Sequence, residues 1–180
     1  GSLGGDWEFQ STDARVEKYF PLGYDRLDRP FIAALIGRVR FANETGDLGV
    51  LPYTERFFLG GQGTLRGFDF RGAGPRESGF PLGGEAAWNA SLEVRAPLLS
   101  SRVRDSVDEV EYVRGALWVD AGALGDGLND FDSTRIAAGV GVRIRLPMMP
   151  QMPLSLDFGW PIKSESFDDT SVFTFSLGNF

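Results

Sequence analysis

Apolar and polar residues alternate along most of the chain with a period of two, and the alternation stops and resumes often enough to predict seven strands. Trp7 to Phe20 is the first, interrupted by Lys18 and closed by the turn signal Pro21-Leu22-Gly23. In the second, Phe31, Ala33, Leu35, Gly37, Val39 and Phe41 share one face, with Arg38 and Arg40 on the other. The alternation resumes at Ala86, with Trp88, Ala90, Leu92, Val94 and Ala96 set against Asn89, Ser91, Glu93 and Arg95, until Pro97 is expected to end it. A charged linker, Ser100 to Glu111, leads to Val113, Gly115, Leu117 and Val119 against Tyr112, Arg114, Ala116, Trp118 and Asp120. Three further strands are centred on Ile136 to Leu146, on Leu154 to Trp160 beyond the turn MMPQMP, and on Phe173, Phe175 and Leu177.

The composition of the two faces sets the class. The apolar faces are continuous from strand to strand, while the polar faces combine Arg, Glu, Asp, Ser and Asn with many glycines. Glycine has no role on a water-facing strand surface, but it suits a lumen filled by a folded-in loop. The pattern therefore predicts an all-β protein, a transmembrane antiparallel up-and-down β-barrel with its apolar face toward lipid and its polar face toward the lumen. Short turns near Pro21, Pro97 and Met148 alternate with longer, more acidic loops at 44–83, 121–133 and 161–170, the asymmetry of an outer-membrane barrel. Trp88 and Trp160 fall on lipid-facing positions near strand ends, as in an interfacial aromatic belt. Seven strands cannot close such a barrel, so the chain is read as part of a larger one, or as closing with another chain.

The segment 44–83 is too long for a hairpin connection and too rich in Phe, Leu and Gly for disorder. Its centre, RFFLGGQGTLRGF from Arg56 to Phe68, contains Gly60, Gly61, Gly63 and Gly67 and carries one cation, Arg66, at the end of the glycine-rich part. An apolar glycine-rich loop should fold inward, and Arg66 then needs a carboxylate and a flat partner. Glu93, Trp118 and Asp120 lie on the luminal face of two consecutive strands and are the best-placed candidates.

Composition narrows the chemistry. With no cysteine and no histidine, thiol and imidazole catalysis and Cys/His metal sites are excluded, no catalytic residue is assigned, and no metal or cofactor is expected. The net charge of −7 argues against nucleic acid. The glycines miss the dinucleotide spacing, and the acidic turn Gly125 to Asp132, with Asp126, Asp130 and Asp132, reads as a solvated outer loop without calcium-loop spacing. Asp168 and Asp169 read as exposed loop charges. No window is apolar enough for a transmembrane helix, and Gly1 to Asp6 lacks the features of a signal peptide, as expected of a mature form or a piece of a longer protein.

From Gly4 to Phe180, the order LPYTERFFLGGQGTLRGF, GPRESGFPLGGEAAWNASLEVRAPL and VRGALWVDAG, followed by a terminal strand ending in Phe180, resembles the BamA/TamA-type outer-membrane protein assembly factor superfamily. The resemblance implies that residues 1–180 are the C-terminal portion of a barrel of about sixteen strands, starting at the periplasmic turn GSLGGD. It also implies that Leu65 to Phe68 is the family's RGF motif at the tip of an inward-folded loop, preceded by Gly60 and Gly61 and met by Glu93, Trp118 and Asp120. The terminal strand Ser171 to Phe180, with Phe173, Phe175, Leu177 and Phe180, becomes one side of a lateral seam offered to client strands, although Phe180 is one residue out of phase with the other three. The implied role is insertion or translocation of outer-membrane proteins in the bacterial outer membrane, not enzymatic catalysis. The implied partners are outer-membrane lipids, client proteins, upstream periplasmic domains and accessory subunits. A passive secretion channel of the same superfamily, or an anchor for an upstream enzyme or adhesin domain, stays open at this point. Sequence upstream of Gly1 would separate them.

Overall fold

The computed structural model describes residues 8–45, 51–102, 109–146 and 149–178. Ten strands follow in chain order: β1 (Phe9–Tyr24), β2 (Pro30–Glu44), β3 (Arg76–Glu77), β4 (Phe80–Pro81), β5 (Ala86–Arg102), β6 (Glu109–Gly127), β7 (Asp130–Phe131), β8 (Arg135–Leu146), β9 (Met149–Lys163) and β10 (Phe173–Leu177). Seven of them form one antiparallel sheet in the order β1-β2-β5-β6-β8-β9-β10, so each long strand pairs with its neighbour in sequence. β7 adds to β6, while β3 and β4 make a separate hairpin inside the long loop. No described helix is long and apolar enough to cross a membrane, which does not bear on crossing by strands.

The strands run further than alternation alone predicts. Pro21 does not start a turn: β1 continues to Tyr24 past a register shift between Pro21 and Gly23. The chain reverses at 25–29 instead, where the Asp25 carboxylate accepts bonds from the Leu27 amide (2.8 Å), the Arg29 amide (2.9 Å) and Arg29 Nε (2.7 Å). Pro97 likewise sits at a bulge, with register shifts at Pro97/Leu99 and Leu99/Ser100, and β5 continues to Arg102. A proline lacks the ladder donor, and a bulge lets the strand pass without one. Of the expected linker from Ser100 to Glu111, residues 100–102 and 109–111 are strand, in the register Ser100 to Glu111, Ser101 to Val110 and Arg102 to Glu109, and 103–108 lie outside the described residues. MMPQMP is mostly the start of β9, which pairs Met149 with Leu146. The acidic turn at 125–132 is a β6-β7 hairpin whose Asp126, Asp130 and Asp132 are exposed. Trp7 and Phe180 lie outside the described residues.

Burial is inverted relative to a water-soluble sheet. Leu35, Leu92, Val94, Leu117, Val140, Phe158 and Phe173 stand side by side across successive strands. Leu117 is 62% exposed and Phe173 50%. On the opposite face Asn89, Glu93, Asp120, Arg143, Ser155 and Asp157 are buried. What covers them is the long loop, and the main apolar cluster (Leu59, Leu65, Phe68, Ala73, Ala87, Trp118, Leu124, Ala137) lies between that loop and the polar face. Glycines at 139, 141 and 159 leave this face low enough for the loop to approach.

Candidate functional site

The loop enters through the bridge Phe57 to Gly84, pairs Leu59 with Ala73, and turns between Gly61 and Leu65. Thr64 Oγ1 donates to the Gly60 carbonyl and accepts from the Gly60 amide, both at 3.1 Å, pinning this turn. Gly60 has φ +112°, and a Cβ there would fall 2.2 Å from the Asp69 carbonyl oxygen. Gly67 has φ +85° and would bring a Cβ to 2.9 Å from that of Ala137. Both positions exclude other residues, by backbone conformation and by space. The flanking Leu65 and Phe68 are fully buried.

Arg66, between them, is aimed into the sheet. Its Nε and Nη2 donate to the two oxygens of Asp120, each at 2.8 Å, and its own amide adds a third bond to Asp120 at 3.1 Å. Nη1 donates to Glu93 at 2.7 Å and reaches Asp157 at 3.4 Å, and Nη2 also donates to Ser91 at 3.0 Å. The guanidinium lies 4.0 Å above the Trp118 ring. This forked pairing with stacking is a geometry lysine cannot reproduce. The stacking depends on bare backbone beneath the ring: a Cβ at Gly139 would stand 2.4 Å, and one at Gly159 2.3 Å, from Trp118 carbons.

Other charges complete the cluster. Arg143 pairs with Glu93 at 2.6 Å and Asp157 at 2.9 Å, and Arg95 pairs with Glu93 at 2.7 Å. Three guanidiniums thus face three carboxylates, which makes their burial tolerable. Burial works against the charge on Arg66, which belongs to the loop and not to a strand. Its bonds to Asp120 and the fields of Glu93 and Asp157 outweigh that, raising its pKa above the ordinary guanidinium value.

A cavity of about 330 Å³ lies beside the cluster, and its lining includes Arg15 of β1, Asn89 and Ser176 of β10. Opposite ends of the sheet therefore face one space, and the sheet wraps around the loop. Among the described residues no group of three or more carboxylates is placed to hold a metal.

All three residues expected around Arg66 meet it. Alternation also puts Ser91 and Asp157 on the polar face without singling them out, and it places Arg143 there too. Gly60, Gly61, Leu65, Gly67 and Phe68 build the loop tip. Phe173, Phe175 and Leu177 are about half exposed on the apolar face; Phe173 and Phe175 stand apart from the cluster, while Leu177 borders the cavity beside it.

Asp168 corrects an expectation. Its side chain is fully buried, with Oδ2 accepting from Arg135 Nε (3.2 Å) and the Glu165 amide (2.7 Å) and Oδ1 accepting from the Gly74 amide (3.0 Å). Asp169 is exposed, as expected, and pairs with Arg76 at 2.7 Å. Period-two reading is silent about loop residues such as these.

A family model described as the Omp85 superfamily domain matches residues 1–180. A SAM50-like protein of Drosophila melanogaster is 26% identical over 98% of this chain and 38% of its own length. The outer membrane protein assembly factor BamA of Neisseria meningitidis is 25% identical over 97% of this chain and 24% of its own. The crystal structure of BamA from Haemophilus ducreyi lacking POTRA domains 1–3 superposes with a TM-score of 0.77 at 27% identity, covering 98% of this chain and 36% of that one. The chain thus spans less than two-fifths of each of these proteins.

Proposed function

Because the chain belongs to the Omp85 superfamily, we propose that it is the C-terminal part of an outer-membrane β-barrel that assists insertion or translocation of other outer-membrane proteins. Two of its relatives are an outer membrane protein assembly factor and a SAM50-like protein, which supports the assembly role over a purely structural one. In this reading residues 1–180 supply about seven of some sixteen strands. The bacterial outer membrane is the proposed location. Client barrels, upstream periplasmic domains and accessory subunits are the proposed partners, and no bond-making chemistry is involved.

The observation that carries the reading is the loop held on the polar face by Arg66, against a sheet whose opposite face exposes rows of large apolar side chains. A lipid-facing wall accounts for the second feature. The first acts as a lock, with Leu65 to Phe68 as its bolt and Glu93, Trp118 and Asp120 as its seat. The locked loop keeps the wall in one shape while the terminal strand, centred on Phe173, Phe175 and Leu177, presents its free edge to a client strand. Phe180 belongs to the same proposed edge.

Charge reversal in the full-length protein, reconstituted in vesicles, tests the lock. Arg66→Glu should block insertion of a client barrel and destabilise the fold, and Arg66→Glu with Asp120→Arg should recover part of both. Unchanged stability and client insertion in Arg66→Glu would overturn it.

A further inference from the structure

The tail of the locked loop is joined to the segment that leads into the last strand. The Asp69 amide donates to the Asp169 carbonyl (3.0 Å), the Asp169 amide to the Gly72 carbonyl (2.9 Å) and the Ser171 amide to the Gly67 carbonyl (3.3 Å), around the bridge Phe68 to Thr170. The two segments pack so closely that a Cβ on Gly72 would stand 2.5 Å from the Asp169 carbonyl oxygen.

The buried Asp168 carboxylate organises this junction. It receives the Gly74 amide from the loop, Arg135 from the first residue of β8 and the Glu165 amide from its own turn. One side chain thus ties three separate segments, and Arg135 on the other side of the ion pair is 1% exposed. Arg76 to Asp169 adds a pair at the rim.

β10 starts only two residues beyond Ser171. It has five residues, pairs only with β9 among the described strands, and leaves its other edge free. Its Phe173 end is held by the junction and by the bond from the Gly159 amide to the Val172 carbonyl (2.8 Å). At its Leu177 end the Gly178 amide donates to the Pro153 carbonyl (3.0 Å), at a glycine with φ +105°.

We propose that residues 67–74 and 165–172 form a clamp that fixes the Phe173 end of the terminal strand to the Arg66 loop, with Asp168 as its positioning residue. The position of the loop is thereby coupled to that end of the terminal strand. This rests on the seam reading above, since it assigns the clamp to the strand that would receive clients.

Hydrogen exchange on the full-length protein in vesicles tests it, with Asp168→Asn and, should that variant fail to fold, Gly72→Ala, which leaves every charge in place. Amides in 67–74 and 168–175 should exchange at least about tenfold faster, while those of β6 around Asp120 keep their protection, and client insertion should change severalfold. A folded variant with unchanged exchange at 168–175 overturns the clamp. Faster exchange there with client insertion at the wild-type rate supports the clamp and overturns the seam reading instead.

Discussion

Replacing Arg66 by methionine keeps an unbranched apolar stem and removes only the guanidinium, so its consequence can be followed group by group. Glu93 retains Arg143 and Arg95. Asp157 retains Arg143 at 2.9 Å. Asp120 loses both of its 2.8 Å charged bonds and keeps the Arg66 amide, while its side chain is only 3% exposed. The cost is therefore concentrated on one bare carboxylate. Removing one partner of a buried pair costs about 3–5 kcal/mol, and the lost stacking on Trp118, about 0.5–2 kcal/mol, falls inside that figure. In urea, with a slope of roughly 3 kcal/mol per molar or less, the unfolding midpoint should drop by at least about 1 M. The assay is urea unfolding of the full-length barrel in bilayers, with folded protein scored by its mobility on unboiled gels. Asp120→Asn in the methionine background should restore part of the loss, because the orphan is then neutral, giving a coupling of about 1.5–3 kcal/mol. Asp157→Asn should couple to Arg66 by no more than about 0.5 kcal/mol, since their contact is 3.4 Å long and Arg143 is the nearer partner. A loss below about 1 kcal/mol for Arg66→Met, or equal coupling to Asp120 and Asp157, would refute the assignment of Asp120 as the principal seat.

Two other substitutions probe the wall. Leu117→Arg changes a side chain that is 62% exposed, so in a water-facing sheet it would be nearly silent; facing lipid, it should cost about 2–4 kcal/mol in the same bilayer titration. Gly159→Ala puts a methyl group 2.3 Å from the Trp118 ring, and should cost about 1–3 kcal/mol while shifting Trp118 fluorescence, against a background in which the other tryptophans are replaced by phenylalanine.

Much of the site is legible in the sequence because a strand has only two faces. Once Leu92 and Leu117 are assigned to lipid, Glu93, Trp118 and Asp120 must point the other way, and an arginine in an apolar loop has few places to go. Asp157 and Ser91 obey the same phase, but nothing in a one-dimensional pattern says how far along a strand the guanidinium will land. Pro21 and Pro97 mislead about the strand ends, since local sequence signals a missing donor but not the bulge that absorbs it. Asp168 is illegible for a different reason. Its burial depends on Arg135 and Gly74, residues brought to it by the fold, while the stretch around it reads like any acidic turn. The neighbouring Phe167 ring, whose centroid lies 5.6 Å from the Arg135 guanidinium, makes a contact that likewise exists only in the fold.

The partners of Arg66 are also widely separated along the chain, at 27 residues for Glu93, 54 for Asp120 and 91 for Asp157. Contacts of such long range are slow to form, because the intervening chain must be ordered before they can repay the loop entropy. The cluster therefore cannot be complete until β9, which carries Asp157, has joined β8. A chain stalled or cut before residue 157 would still contain the loop, Glu93 and Asp120, yet it would lack the last carboxylate and the floor at Gly159 on which Trp118 rests. Full engagement of Arg66 thus requires β9 to be in place beside β8.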